Sequence, residues 1–87
     1  IAAHRVYIGN IELDLTLIEF KLLLYLSERN GRIQTREMLL EKVWGYNNSI
    51  TTRTVDTHIK RLRAKLGDLG NKIETVRGVG YRFNYII

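Results

Sequence analysis

Apolar and cationic side chains fall on opposite sides of residues 53–66 (RTVDTHIKRLRAKL) when this segment is drawn as a helix. At about 100° per residue, one narrow arc holds four apolar residues, Val55, Ile59, Leu62 and Leu66. The opposite side holds Arg53, Thr57, Lys60, Arg61 and Ala64, with Thr54 and Lys65 at its edge. We therefore predict a helix that buries its apolar arc in a core and exposes its cationic side.

Four short runs have the alternation of β-strands: 5–8, 11–15, 73–76 and 81–85. Gly9-Asn10 between the first two is a hairpin signal. The last two are joined across Arg77-Gly78-Val79-Gly80, whose two glycines permit the backbone angles of a tight tip. We therefore expect one hairpin near each end of the chain.

Three helices are expected between these hairpins. Thr16 and Glu19 have the spacing of a capping box, and the helix that follows, to about Arg29, is apolar on almost every side, which predicts a buried axis. Thr35 can cap a second helix that closes at Trp44-Gly45. Thr51 or Thr52 caps the third, and Gly67 stops it. The order of elements predicts an α+β domain.

Composition narrows the class of protein. The 87 residues make a single domain, and the absence of cysteine excludes disulfides and thiolate metal sites and fits a reducing, cytoplasmic location. No apolar run approaches the ~20 residues that span a bilayer, so no membrane partner is expected. The chain begins with Ile, so we expect a fragment of a longer protein.

The whole net charge of +5 lies in residues 52–87, with eight Lys/Arg against three Asp/Glu, which favours a polyanionic partner.

The cationic helix suits double-stranded DNA. Its 14 residues are ~21 Å long, about the length that fits across a major groove. Arg61 is best placed for a bidentate contact to guanine, and Thr54 and Thr57 for a thymine methyl or a phosphate. Arg53, Lys60 and Lys65 are expected at phosphates. Arg63 leans towards the core boundary and is therefore a weaker candidate for a contact. The alternative is a solvated face in which Asp56 and Lys60 form an i,i+4 pair.

Two other regions offer candidate contacts. Arg77, at the tip of the C-terminal hairpin, suits insertion into a minor groove, whose negative potential attracts arginine; the alternative is an ordinary exposed turn. Thr35 and Arg36, at the start of the second helix, suit a phosphate. The Trp44 indole N–H suits the same role, although Trp44 is nearly as well explained as a core aromatic.

A catalytic function finds no support. His58 and Asp56 are two residues apart on a helix, so their side chains diverge and cannot form a dyad. Gly78-Val79-Gly80 is too short for a dinucleotide fingerprint. No cluster of side chains has metal-ligand spacing, so neither a metal nor another cofactor is expected.

Four segments together carry a resemblance to a family: 15–26 (LTLIEFKLLLYL), 35–46 (TREMLLEKVWGY), 53–66 (RTVDTHIKRLRAKL) and 75–83 (TVRGVGYRF). In order and spacing they resemble the effector domain of OmpR/PhoB-type response regulators, over about residues 5–84. The resemblance implies a winged helix-turn-helix fold, with the third helix in the major groove and the hairpin wing over the minor groove. The DNA-contacting positions it implies are Trp44, Arg53, Thr54, Thr57, Lys60, Arg61, Arg63, Thr75, Arg77 and Tyr81.

The resemblance also implies partners. Two copies of the domain are expected on adjacent half-sites of a promoter. The loop between the second and third helices is expected to contact RNA polymerase; it consists of Tyr46, Asn47, Asn48, Ser49 and Ile50. Two features depart from the family: residues 1–15 have room for about two of the usual four N-terminal strands, and the receiver domain is missing.

Other uses of such a fold remain open at this point. A winged helix used only for protein contacts or RNA would not need a basic face opposite its apolar arc together with Arg77 on the wing, and RNA stacking would call for exposed aromatics. A sequence-independent architectural DNA binder is harder to separate from a regulator. A preference of ~10³-fold or more for a specific site would distinguish the regulator.

Overall fold

A computed structural model describes the backbone of residues 4–8, 11–45 and 50–84, and the side chains from Glu12 onward within these ranges. The strands are β1 (His4–Ile8), β2 (Ile11–Leu15), β3 (Gln34–Thr35), β4 (Ile73–Val76) and β5 (Gly80–Phe83). The α-helices are α1 (Leu17–Glu28), α2 (Arg36–Leu39) and α3 (Thr52–Leu66). A π-helical segment, Leu40–Trp44, extends α2, and a 3₁₀ helix, Gly67–Lys72, follows α3.

The N-terminal hairpin has the predicted two strands. β1 and β2 pair antiparallel, from His4 opposite Leu15 to Ile8 opposite Ile11. The predicted turn at Gly9-Asn10 lies outside the described residues. Leu13 and Leu15 turn into the core, with 7% and 0% of their surface exposed. The alternation of β2 therefore places one side of the hairpin against the helices.

Two of the three predicted side-chain caps are present; at the third, Thr51 precedes α3, but its side chain makes no capping hydrogen bond. The Thr16 hydroxyl accepts a hydrogen bond from the Glu19 amide at 3.2 Å, and the Glu19 carboxylate accepts one from the Thr16 amide at 3.0 Å. The Thr35 hydroxyl accepts from the Met38 amide at 3.1 Å. Each interaction satisfies a donor that the first turn leaves without a helical partner. The sequence therefore predicted where these two helices begin.

The expectation that α1 is a buried axis was wrong. Leu22 and Leu26 are fully buried, but Leu17 and Leu24 on the other side are 37% and 44% exposed. A helix of a domain this small packs on one side only, because too few elements surround it to cover both. Apolar residues on the solvent side carry no packing information by themselves.

The C-terminal hairpin, which we call the wing (Ile73–Phe83), belongs to a three-stranded antiparallel sheet in the order β3-β5-β4. The sequence did not predict β3, since two residues carry no periodicity. Gly78 has φ +77° and forms the tip, as expected. Gly80 has another role: a Cβ there would lie 2.0 Å from the Gln34 carbonyl oxygen. Glycine is thus required at Gly80 by the close approach of β3.

One hydrophobic core joins β2, α1, α2 with its π-helical extension, α3, β4 and β5. Its members are Leu13, Leu15, Leu22, Leu23, Leu26, Leu39, Val43, Val55, Ile59, Leu62, Leu66, Ile73 and Tyr81. Four of them come from α3, which connects the core to the surface described below.

Candidate nucleic-acid interface

The apolar arc of α3 faces inward as predicted. Val55 and Leu62 are fully buried, and Ile59 and Leu66 are 1% and 6% exposed. Because the helix repeats every 3.6 residues, burying these four side chains turns the opposite side to solvent. The rotation of α3 about its own axis is therefore set by the core.

The exposed side of α3, here called the cationic face, consists of Arg53, Thr57, Lys60 and Arg61. Within the described residues, no acidic side chain forms an ion pair with its three cations. Asp56 pairs with Arg36 instead of Lys60, which argues against the interpretation of this side as an internally neutralised surface. The Thr57 hydroxyl donates to the Arg53 carbonyl at 3.2 Å. The result is a positive helical surface with small residues between the cations.

Arg63 joins α3 to the wing. Its Nε and Nη2 donate to the Ile73 carbonyl at 3.0 and 2.7 Å, and Nη2 also donates to the Thr75 hydroxyl at 2.7 Å. The guanidinium carbon lies 5.6 Å from the centre of the Tyr81 ring. This expected DNA-contacting side chain thus has intramolecular partners.

Asp56, which lies on one side of the same helix, contacts two further elements of the fold. The Tyr81 hydroxyl of β5 donates to Asp56 Oδ1, and Arg36 Nε of α2 lies 3.0 Å from the same oxygen. Burial raises the pKa of Tyr81, the hydrogen bond and charge of Asp56 raise it further, and Arg36 offsets part of this rise. Tyr81 is 5% exposed. Its hydroxyl is therefore held protonated, as a donor.

Lys65 lies on the opposite flank of α3, next to α1. Its Nζ is 2.6 Å from Glu19 Oε1 and donates to the Asp14 carbonyl at 3.2 Å. Burial raises the pKa of the Glu19 carboxyl, but hydrogen bonds from Lys65 and from the Thr16 amide outweigh it, so the pKa lies below its ordinary value of 4.5. The structure therefore uses Lys65 to tie α3 to the cap of α1.

Trp44 and His58 meet between α2 and α3. Their rings pack edge to face with centroids 5.1 Å apart, and His58 Nδ1 lies 2.8 Å from the Thr54 carbonyl oxygen. Trp44 is half-buried. Both interpretations of Trp44 thus remain compatible with its position, since an aromatic ring can pack while part of it stays exposed.

The remaining candidates divide between the wing tip, α2 and the loop. Arg77 is exposed beside Gly78, and no described side chain pairs with it. Thr35 is occupied by its cap on α2. Residues 46–49 of the proposed polymerase-contacting loop lie outside the described residues, and Ile50 is half-buried.

Sequence reasoning missed the contact of Asp56 with Arg36 and Tyr81. The signal for it was weak: Asp56 and Arg63 are seven residues apart, two helical turns, and therefore lie on one side of α3. Nothing in that spacing identifies the partners, because Arg36 and Tyr81 come from elements distant in the chain.

Every helix in the described part of the chain is too short or too polar to cross a lipid bilayer. No three or more His, Asp or Glu side chains of these residues converge in a way that would hold a metal ion.

Comparison with known proteins identifies the family. The family model described as "Transcriptional regulatory protein, C terminal" matches residues 10–83. The transcriptional regulatory protein VxrB of Vibrio cholerae is 52% identical over 81 residues, which cover 93% of this chain and 32% of VxrB. The chain spans about a third of the length of the curated relatives it matches.

Solved structures share the fold. The DNA-binding domain of Bacillus subtilis CssR is 42% identical with a TM-score of 0.81, covering 91% of this chain and 89% of that one. The DNA-binding domain of the response regulator AdeR, solved in complex with an intercistronic region, is 38% identical with a TM-score of 0.81, covering 95% and 87%. The predicted α+β winged-helix fold is confirmed. The chain belongs to the OmpR/PhoB-type family of transcriptional regulatory protein C-terminal domains.

Proposed function

We propose that this domain binds double-stranded DNA sequence-specifically, as the output domain of a two-component transcriptional regulator. The observation that carries the proposal is the cationic face of α3: its cations are exposed and no described acid neutralises them. A basic helical surface on a winged-helix domain provides the charge that phosphates require and the side chains that read base edges. The domain acts by binding and needs no cofactor.

The dimensions of α3 support a place in the major groove. Its 15 residues make a helix of ~22 Å, and the groove of B-DNA is ~12 Å wide, enough to admit it. In this arrangement Arg61 pairs with a guanine, Thr54 and Thr57 contact a thymine methyl or a phosphate, and Arg53 and Lys60 contact phosphates.

The wing supplies a second contact. Arg77 stands exposed at the tip of a narrow hairpin, where a long cation reaches the negative potential of a minor groove with little steric obstruction. Thr75 is exposed on the same hairpin, although its hydroxyl already accepts from Arg63. The wing and α3 would then contact adjacent grooves of one duplex.

Several of the expected contacts are engaged within the protein. Their polar groups or rings hold elements together, so we assign them first to the shape of the surface: Thr35, Arg36, Trp44, Arg63, Lys65 and Tyr81. Direct contact with DNA would use whatever hydrogen-bonding capacity these interactions leave.

The partners of the whole regulator are part of the proposal. A second copy of the domain occupies an adjacent half-site of a promoter, and residues 46–50 contact RNA polymerase. The regulator works in the cytoplasm and carries a receiver domain in addition to this domain, which spans about a third of the length of the curated relatives.

The experiment that tests the proposal is selection of preferred sites from a random duplex pool, followed by binding measurements on the selected and on unselected duplex. We expect a preference of ~10³-fold or more. Equal affinity would replace the proposal with sequence-independent, architectural binding. Absence of binding at low salt would refute both.

A matched pair of variants ties that binding to α3. Lys60 and Lys21 are both exposed lysines on helices, but Lys21 lies on α1. Lys60→Glu should weaken binding to every duplex, since it places an anion against phosphates, whereas Lys21→Glu should bind nearly as the wild type does. Equal losses in the two variants would locate the interface elsewhere.

A further inference from the structure

Two side chains fasten the wing to α3: Tyr81 of β5 and Arg63 of α3. Tyr81 is the one that contacts both Asp56 and Arg63. It is 5% exposed, its hydroxyl donates to Asp56, and its ring lies beside the Arg63 guanidinium. Asp56 and Arg63 lie on the same side of α3, two turns apart. An acid and a base of one helix thus contact the hydroxyl and the ring of the same tyrosine.

Both strands of the wing are included in this contact. Tyr81 belongs to β5, and Arg63 also donates to the Ile73 carbonyl and the Thr75 hydroxyl of β4. The register places Thr75 opposite Tyr81. A rotation of the wing against α3 would have to break these hydrogen bonds together.

We propose that Asp56 is a positioning residue of the DNA interface: through Tyr81 it fixes the angle between the wing and α3, so that Arg77 and the cationic face engage one duplex at the same time. This inference rests on the proposed function. Two contacts on one rigid body bind together more strongly than two that must first be oriented, because the second contact forms at a high effective concentration.

Asp56 is well suited to a test of this role, because a purely electrostatic role and a positioning role predict opposite effects when its side chain is removed. A carboxylate beside the interface repels phosphates, and it also pairs with Arg36 at 3.0 Å. Electrostatics alone therefore predicts that removing Asp56 strengthens binding to any duplex. Positioning predicts that the same change weakens the contribution of Arg77. The two effects have different signs and different sequence dependence.

The experiment is a double-mutant cycle on the selected site. In the wild type, Arg77→Ala should weaken binding about tenfold, a typical size for an arginine contact. In an Asp56→Ala background the same change should cost only about twofold, because the wing no longer presents Arg77 at the groove. Asp56→Ala should at the same time raise the affinity for random duplex.

Three further variants separate the causes. Asp56→Asn removes the charge but retains an oxygen acceptor for Tyr81. In this background, Arg77→Ala should therefore weaken binding nearly as much as it does in the wild type. Tyr81→Phe should reduce the effect of Arg77→Ala on binding to about twofold, as Asp56→Ala does, without changing the net charge. Asp68→Ala is the matched control, since Asp68 is an exposed acid just beyond α3, and it should leave the effect of Arg77→Ala tenfold. A full effect of Arg77→Ala in both Asp56→Ala and Tyr81→Phe would overturn the inference.

A measurement without DNA distinguishes failure of this inference from failure of the proposed function. The Val79 amide donates to the Val76 carbonyl at 2.9 Å in the wing turn. In Asp56→Ala and Tyr81→Phe its hydrogen exchange should speed up at least severalfold, while amides of α3 keep their protection. If the wild type showed no preference among duplexes, the proposed function would fail. The exchange measurement would still test whether Asp56 and Tyr81 hold the wing against α3. Unchanged hydrogen exchange of the Val79 amide in both variants would overturn the inference that Asp56 and Tyr81 position the wing.

Discussion

The cationic face of α3 and the flank of the same helix that contacts α1 carry similar side chains in opposite electrostatic settings. Lys60 is exposed and has no acidic partner among the described side chains, whereas Lys65 reaches Glu19 at 2.6 Å. A cation paired with a buried carboxylate contributes to folding, and removing one partner leaves the other unsatisfied. An exposed, unpaired cation contributes little to folding and is available to an anionic ligand. Residue type alone does not separate these roles.

The largest expected effect concerns the buried side of α3. Leu62→Ala should lower the free energy of unfolding by ~2–5 kcal/mol, because Leu62 is fully buried and the substitution leaves a cavity. Urea denaturation of the variant measures it. Lys60→Ala, on the opposite side, is the control and should stay within ~0.5 kcal/mol of the wild type. A surface-like effect at Leu62 would mean that α3 is rotated about its axis.

Arg61→Ala should weaken specific binding by ~1–3 kcal/mol and relax the preference at one base position, since a bidentate contact to guanine is lost. Titration against duplexes varied one base pair at a time measures both quantities. Its stability should be unchanged within ~0.5 kcal/mol. Uniform weakening across all sequences would instead make Arg61 a phosphate contact.

Glu19→Gln should lower the free energy of unfolding by about 1 kcal/mol near neutral pH, since it weakens the charged interactions with Lys65 and Thr16. The pKa of Glu19 is lowered in the folded protein, so its stabilisation is present above its ordinary pKa and is lost as the pH falls through the folded value. The difference between wild type and variant should therefore shrink in acid.

Unfolding measured from pH 7 to pH 3 tests this sign. The pKa of Glu74 is also lowered, by hydrogen bonds from Arg82 and Asn84. The Glu19→Gln variant should therefore still lose some stability as the pH falls, because Glu74 becomes protonated. A difference between wild type and variant that stays constant across this range would contradict the assignment of Glu19.

The smallest effects come from the two lysines themselves. Lys60→Ala should reduce the slope of log K against log salt by about 0.9, the contribution of one phosphate contact. Lys65→Ala should leave that slope unchanged and lower stability instead, because its ammonium is held by Glu19. Salt titrations and denaturation of both variants measure this contrast. Equal salt slopes in the two variants would remove the distinction between the face and the flank.

The sequence by itself determined the local features of the fold. The burial of Val55, Ile59, Leu62 and Leu66 follows from helical periodicity, and the caps at Thr16 and Thr35 follow from short-range spacing. These features involve residues a few positions apart, so their geometry is set by a single helix. The cationic side of α3 could be predicted for the same reason.

Tertiary structure alone decided which of those charges are engaged and how the wing lies. Lys65 meets Glu19 46 positions away, Tyr81 meets Asp56 25 positions away, and Gly80 is required by β3. The exposure of Leu24 likewise depends on which elements surround α1. Partners far apart in the chain meet only after the core has set the angles between helices and sheet, and no short-range pattern encodes those angles.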